Sequence, residues 1–210
     1  MKLYDFAHAP SPRRVRIFLA EKGITVPRVT VDLVKKEQFA PDFRRLNPDC
    51  TLPALELDDG TVLCESVAIC RYFEEIHPEP PLFGRDARDK AIVEMWNRRA
   101  ELQGYLRAAD VLRNEEPRFA DRALPGVEGG VPQIAALAAR GRQALRRFYA
   151  RLDAELAMRE FIAGPRFTIA DITALVTVDF ATRLKFALPP EFAHLGRWHR
   201  AVSARPSANA

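Results

Sequence analysis

The apolar positions of the first third of the chain change period from one short stretch to the next. Lys2 to Phe6 reads as a strand, and Val15, Phe18 and Leu19 then fall on one face of a helix. Ser11-Pro12 opens that helix, with the hydroxyl at the N-cap and proline at the first helical position. Lys22-Gly23 closes it with a cation and a glycine cap. Val29, Val31 and Leu33 alternate with polar residues, the pattern of a half-buried strand. A short helix is predicted over Gln38 to Leu46, before Asn47-Pro48. Ala54 to Leu57 and Thr61 to Cys64, joined by Asp58-Asp59-Gly60, predict a hairpin. Glu65 to Ile76 predicts a helix burying Ile69, Phe73 and Ile76. His77-Pro78-Glu79-Pro80-Pro81 cannot continue it, because proline lacks the amide hydrogen and clashes with the preceding turn. The domain boundary is placed there: residues 1–78, a linker 79–86, and 87–210.

Beyond the prolines every periodic segment is helical. Ile92, Met95, Trp96, Leu102, Leu106 and Ala109 mark one long helical stretch. The stretch Asn114 to Gly130 holds prolines and glycines and reads as a loop. Ile134 to Leu156 marks a second long helix, in which Gly141 permits close packing. Thr168-Ile169-Ala170-Asp171 has the pattern of an acidic capping box. The helix it starts is apolar nearly all round as far as Ala181, which predicts a core helix. Phe192, Leu195, Trp198 and Val202 mark the last. The order βαβα, then ββα, then helices alone predicts an α/β thioredoxin-like N-terminal domain and an all-α C-terminal domain. The crossover unit makes parallel strands and the hairpin an antiparallel pair.

Composition narrows the class. The 210 residues are 48% hydrophobic and 29% charged, which is ordinary for a globular chain. A chain of this length buries roughly 70% of its unfolded surface, so it needs no metal or disulfide staple. Lys+Arg 32 against Asp+Glu 28 gives +4, too small an excess to argue for nucleic acid. The arginines at 13, 14, 16, 140, 142, 146, 147 and 151 lack an aromatic stacking platform and read as solvated faces. Cys50, Cys64 and Cys70 form no C-x-x-C, which excludes a dithiol redox motif and a zinc ribbon, and they are placed in or near the core. The sequence enters a strand directly after Met1, and Ile172 to Val178 is far short of the roughly 20 residues a membrane span needs. A soluble, cytoplasmic protein without metal is expected.

Three places carry candidate chemistry. At a helix N-terminus the Ser11 hydroxyl and the helix dipole would stabilise a thiolate. Lowering a thiol pKa by about two units requires roughly 2.7 kcal/mol. A helix end gives about 0.3–2 kcal/mol and a hydrogen bond to a charged group roughly 1.5–3 kcal/mol, so together they suffice. On spacing alone, Ser11 is read as a plain cap. Leu52-Pro53 is either a cis turn that frees the Leu52 backbone for an extended peptide ligand or a trans proline starting an edge strand. Glu65-Ser66 at a helix start fits an amino-acid head group: helix N–H groups and the Ser66 hydroxyl for the carboxylate, the Glu65 side chain for the ammonium. It is equally an ordinary helix start. His8 lies in a loop within reach of the same mouth. Thr168 and Asp171 are read as structural.

These residues resemble the cytosolic glutathione transferase superfamily, of a bacterial, serine-like type. The stretches that carry the resemblance are Ala9 to Gly23, Leu46 to Leu55, Leu63 to Ile69, and Phe161 to Asp171, in the family's order. The resemblance implies an enzyme in which glutathione thiolate attacks small hydrophobic electrophiles or reduces peroxides, a detoxification activity with isomerisation as a sub-case. It implies glutathione as co-substrate, no metal, and a homodimer. It makes Pro53 a cis-proline, gives the Leu52 backbone to the cysteinyl part of glutathione and Glu65 and Ser66 to its γ-glutamyl head, and places Gln38, with Lys36 nearby, at its glycine carboxylate. Ser11 is the implied catalytic residue. The sequence departs from the family in two places. Cys50 stands where the family frequently has glycine, and Ala9 and Pro10 stand where serine-type members carry their serine. Tyr4, within the strand, is no substitute for it. The second substrate is expected against Trp96 to Tyr105. The competing reading is a non-catalytic interaction protein on the same fold, of the stringent-starvation type.

Overall fold

The computed structural model describes residues 1–210. Four short strands, β1 (Lys2–Asp5), β2 (Arg28–Thr30), β3 (Ala54–Glu56) and β4 (Val62–Cys64), form one sheet in the order β2-β1-β3-β4. β1 and β2 are parallel, with Leu3 opposite Arg28, because helix α1 (Pro10–Glu21) carries the chain back between them. β3 runs antiparallel to both β1 and β4, with Tyr4 opposite Ala54 and Ala54 opposite Cys64. Helix α2 (Pro41–Leu46) follows a short 3₁₀ turn at Glu37–Phe39, and helix α3 (Ser66–Ile76) packs against α1. This is a thioredoxin-like α/β unit.

An all-helical unit follows. Helix α4 (Ala87–Arg99), a π-helical turn (Ala100–Tyr105) and helix α5 (Leu106–Glu115) run on without a break. Helix α6 (Ala135–Leu156) packs along α5. Gly141 makes that approach possible, since a Cβ there would lie 2.9 Å from the Arg107 carbonyl oxygen and 3.0 Å from Val111 Cγ2. Gly141→Leu is therefore expected to cost about 1–3 kcal/mol by overpacking, read as a fall in the thermal midpoint; an unchanged midpoint would refute the close contact. Helix α7 (Ile169–Arg183) is buried from Ile169 to Val178, the core helix its apolar sequence predicts, and α8 (Ala193–Ser203) covers it through Leu195, Trp198 and Val202. No helix is long and apolar enough to cross a membrane.

The N-terminus of α7 is built on one carboxylate. Asp171 Oδ2 accepts the Thr168 N–H and the Thr168 hydroxyl at 3.0 Å, while Oδ1 accepts Ile162 N–H at 3.0 Å and Trp198 Nε1–H at 2.9 Å. At the other junction, Lys22 Nζ donates to the His77 and Pro80 carbonyls and pairs with Glu74, whose second oxygen accepts Phe83 N–H. The cation at the end of α1 thus anchors the proline-rich segment.

The structure corrects several sequence expectations. α1 begins at Pro10 and is capped by Ala9, not Ser11, because proline at the first helical position is pre-set for helix and Ala9 takes the extended backbone of a cap. The second strand stops at Thr30 and is exposed, so Leu33 lies outside it. Pro41 divides the predicted Gln38–Leu46 helix in two, since it supplies no amide hydrogen to an earlier turn. Ile76, in the last turn of α3, is exposed. The arginines of α1 are not a solvated face: Arg14 and Arg16 are buried, and Arg13 is ion-paired. Cys50 and Cys70 are buried and Cys64 is half-buried; all three are free thiols. Cys50 adopts φ +50°, which gives a physical meaning to the glycine expected there.

Candidate active site

Strand directions bring the candidates to one end of the sheet. β1 and β2 are parallel, so the β1–α1 loop and the segment after β2 leave at the same end. β3 enters there through Leu52-Pro53, whose peptide is cis, and β4 leaves there into Glu65-Ser66. Neither the N–H nor the C=O of Leu52 is engaged by another part of the chain. Glu65 is exposed, makes no side-chain hydrogen bond, and sits at φ +69°, a strained backbone for a residue with a Cβ. No side chain caps the first N–H groups of α3. Gln38 is buried with its Oε1 unpartnered, and no hydrogen bond joins it to the other candidates.

The N-terminus of α1 offers less than a generic helix end. Pro10 and Pro12 have no N–H, and Arg13 N–H returns to the Ala9 carbonyl at 3.3 Å, so Ser11 N–H is the one donor left in the first turn. The Ser11 side chain compensates. Its Oγ lies 2.8 Å from the Tyr105 hydroxyl and accepts from Arg14 Nη2 at 3.0 Å. The same Nη2 reaches Ser66 Oγ at 3.3 Å, and Ser66 Oγ donates to the Ser11 carbonyl at 3.0 Å. The Ser66 hydroxyl is therefore turned inward, and only the backbone of residue 66 faces a ligand.

Arg14 is the hub. Its guanidinium is 3% exposed, pairs with Glu101 at 3.0 Å, and stacks 4.4 Å from the centre of the Tyr105 ring. Glu101 in turn pairs with Arg98. Two positive residues in the first turn of α1 oppose the helix dipole; Glu101 offsets Arg14, and Asp179 offsets Arg13 at 2.6 Å. Burial pushes the Asp179 carboxyl up, but hydrogen bonds from His199 and Arg13 outweigh it and hold the group below the usual carboxylate range. His199 uses the same nitrogen, Nε2, toward Asp179 at 2.7 Å and Ser203 at 3.5 Å. That is not a nucleophile relay, which needs both ring nitrogens. His8 lines an open cavity of about 430 Å³ with Arg13, Arg16, Arg183 and His199. Trp96 is buried and cannot line a substrate site, whereas Tyr105 reaches Ser11.

The sequence places Tyr105 at the end of the second-substrate segment, and its contact with Ser11 is what sequence reasoning misses. Tyr105 lies 94 positions from Ser11, and the available signal was the break in helical phase between Trp96 and Leu106.

Two family models match the chain: "Glutathione S-transferase, N-terminal domain" over residues 9–76 and "Glutathione S-transferase, C-terminal domain" over residues 116–206. Glutathione S-transferase 2 of Saccharomyces cerevisiae is 34% identical over 211 residues, covering 99% of this chain and 87% of its own. Maleylacetoacetate isomerase of Pseudomonas aeruginosa is 38% identical over 101 residues, 45% of this chain and 48% of its own. The crystal structure of a glutathione S-transferase domain-containing protein of Marinobacter aquaeolei VT8 superimposes with a TM-score of 0.89 at 38% identity, covering 99% of both chains.

Proposed function

The chain belongs to the glutathione S-transferase family, and on that premise we propose how its own residues hold and activate glutathione. It is a glutathione transferase. The thiol proton leaves to solvent, the thiolate sulfur bonds to the electrophilic carbon of a small hydrophobic substrate, and the leaving group departs with the electron pair. The observation that carries the assignment is the meeting of Ser11, Arg14 and Ser66 beside the unengaged Leu52 backbone.

Leu52 N–H and C=O pair with the cysteinyl unit as a strand would, and Pro53 holds that segment at the sheet end. Glu65 accepts the ammonium of the γ-glutamyl head. The N–H groups of Ser66 and Val67 take its carboxylate with the favourable end of the α3 dipole. Gln38 serves the glycine end. Ser11 donates to the thiolate through its hydroxyl and N–H. In this reading residues 1–78 form the glutathione domain, 79–86 the linker, and 87–210 carry the second-substrate site, where Leu102 and Leu106 remain exposed on either side of Tyr105. The working form is a cytoplasmic homodimer.

Calorimetric titration with reduced glutathione tests this. Saturable binding is expected. Glu65→Ala should weaken it by about tenfold, the worth of one charge-assisted contact of ~1.4 kcal/mol. Ser11→Ala should keep binding and lose ultraviolet thiolate absorbance. Absence of binding up to millimolar ligand would overturn the proposal.

A further inference from the structure

We infer that Tyr105, contributed by the helical unit, is a positioning residue that fixes the direction of the Ser11 hydroxyl hydrogen and so sets how strongly a bound glutathione thiolate is held. The inference rests on the glutathione site proposed above and adds to it a residue outside the N-terminal unit.

The argument is one of donors and acceptors. A serine hydroxyl has one hydrogen and two lone pairs. Arg14 Nη2 fills one lone pair of Ser11 Oγ, at 3.0 Å. Between Ser11 and Tyr105, 2.8 Å apart, the hydrogen can lie either way. If Ser11 donates, the Tyr105 hydrogen has no other acceptor in the chain, and Tyr105 is buried. If Tyr105 donates, both lone pairs of Ser11 are filled, the tyrosine hydroxyl hydrogen is used, and the single Ser11 hydrogen is left for a ligand, as is the Ser11 N–H. The second arrangement leaves neither hydroxyl hydrogen buried without an acceptor; Arg14 Nε is unpartnered in both. It presents two donors from Ser11 to an incoming thiolate, and the arginine and the phenol polarise the hydroxyl from behind.

The surroundings hold Tyr105 in this role. Tyr105 ends the π-helical turn and meets Ser11 of α1, and such turns recur at functional sites. Gly104 lets the Phe148 ring press on the backbone, since a Cβ there would be 2.5 Å from Phe148 Cε1. Phe180 packs on the Tyr105 ring at 5.9 Å and Arg14 stacks on it. The charged groups around the phenol are Arg14 from α1, Glu101 on its own turn, Arg113 from α5 and Arg183 from α7. Arg113 and Arg183 have no carboxylate partner; they donate to the carbonyls of Arg122, Leu124 and His8. Arg13 and Asp179, paired with each other, also face Arg183; with them counted, these groups still carry an excess of positive charge, which favours negative charge on a bound sulfur.

The test titrates the ultraviolet absorbance of bound glutathione thiolate against pH in the wild type, Tyr105→Phe, Ser11→Ala and the double variant. Calorimetry with S-methylglutathione, which has no thiol, runs beside it. Tyr105→Phe keeps the ring and its stacking. It is expected to raise the pKa of the bound thiol by about one unit, a tenfold loss of thiolate at a fixed pH below it, with S-methylglutathione affinity unchanged. Ser11→Ala should raise it at least as far, and the double variant no further than Ser11→Ala alone. A bound-thiol pKa in Tyr105→Phe equal to that of the wild type overturns the role of Tyr105 while leaving the site intact, and additive shifts overturn action through Ser11. Failure of the wild type to bind S-methylglutathione would instead overturn the site and this inference together.

Discussion

Replacing Asp171 by alanine is expected to cost at least about 4 kcal/mol, a large share of a stability that for a typical domain is roughly 5–15 kcal/mol. The carboxylate is wholly buried and is the acceptor for the amides of Ile162 and Thr168, the Thr168 hydroxyl and the Trp198 indole. Each donor left buried without an acceptor costs about 1–3 kcal/mol. Urea unfolding followed by tryptophan fluorescence reads the effect, because Trp198 is one of the orphaned donors. A loss below about 2 kcal/mol would show that water or a neighbour replaces the carboxylate.

The same experiment carries a pH signature. Burial pushes the Asp171 carboxyl up to about 6, against the hydrogen bonds that favour its ionised form. The folded protein therefore holds this proton more tightly than the unfolded chain. The contribution is fully present below pH ~4 and is lost as pH rises through about 6, on the order of 3 kcal/mol in all. Asp171→Asn removes this term, so its stability relative to wild type should improve between pH 4 and 7. Glu21 and Asp179, which burial pushes up but hydrogen-bonded partners hold low, contribute with the opposite sign and at lower pH.

The second large effect is expected at Arg14. Arg14→Met leaves the Glu101 carboxylate, 14% exposed, without its partner across the two units. Breaking a buried pair from one side costs about 3–5 kcal/mol when the remaining charge is left alone; Glu101 keeps Arg98, so the loss is expected at or below the lower end of that range. The double variant Arg14→Met/Glu101→Leu should recover much of that loss, because Arg98, the other partner of Glu101, is half exposed and returns to water. Neither variant should recover activity. The hydroxyls of Ser11 and Ser66 lose their common donor in both, and conjugation of glutathione to a chromogenic electrophile should fall by about tenfold or more. A double variant less stable than the single would show that Arg98 alone satisfies Glu101 and that no uncompensated charge is left behind.

Legibility in the sequence followed the range of the interaction. Thr168 and Asp171 are three residues apart, and the capping box they form was readable from the residue types alone. The apolar stripe Val15, Phe18, Leu19 is within two turns, and so is the hairpin turn Asp58-Asp59-Gly60. At α1 the local reading slipped: Pro10 and Pro12 both suit a helix start, and only the backbone of Ala9 decides between them. Arg13, Arg14 and Arg16 read as solvent-facing because long charged side chains usually are. Their partners are Asp179, Glu101 and Asp5, and nothing in the neighbouring sequence points to the first two.

By itself the sequence determined the order of elements, the α/β unit followed by helices, the core helix α7 and the family to which the chain belongs. The elements and the core helix rest on propensity, periodicity or capping, which act over a few residues; the family rests on the resemblance of four short stretches, each local in sequence. The tertiary structure decided what the candidate residues face. It turned the Ser66 hydroxyl inward and left Glu65 outside. It placed Tyr105 of the helical unit against Ser11 across 94 residues of chain, and set Arg14 between Ser11, Ser66 and Glu101. Such contacts depend on how two packed units meet. The pattern of either segment records only that it forms a helix, because the partner that completes a buried donor or charge comes from a part of the chain that local physics does not reach.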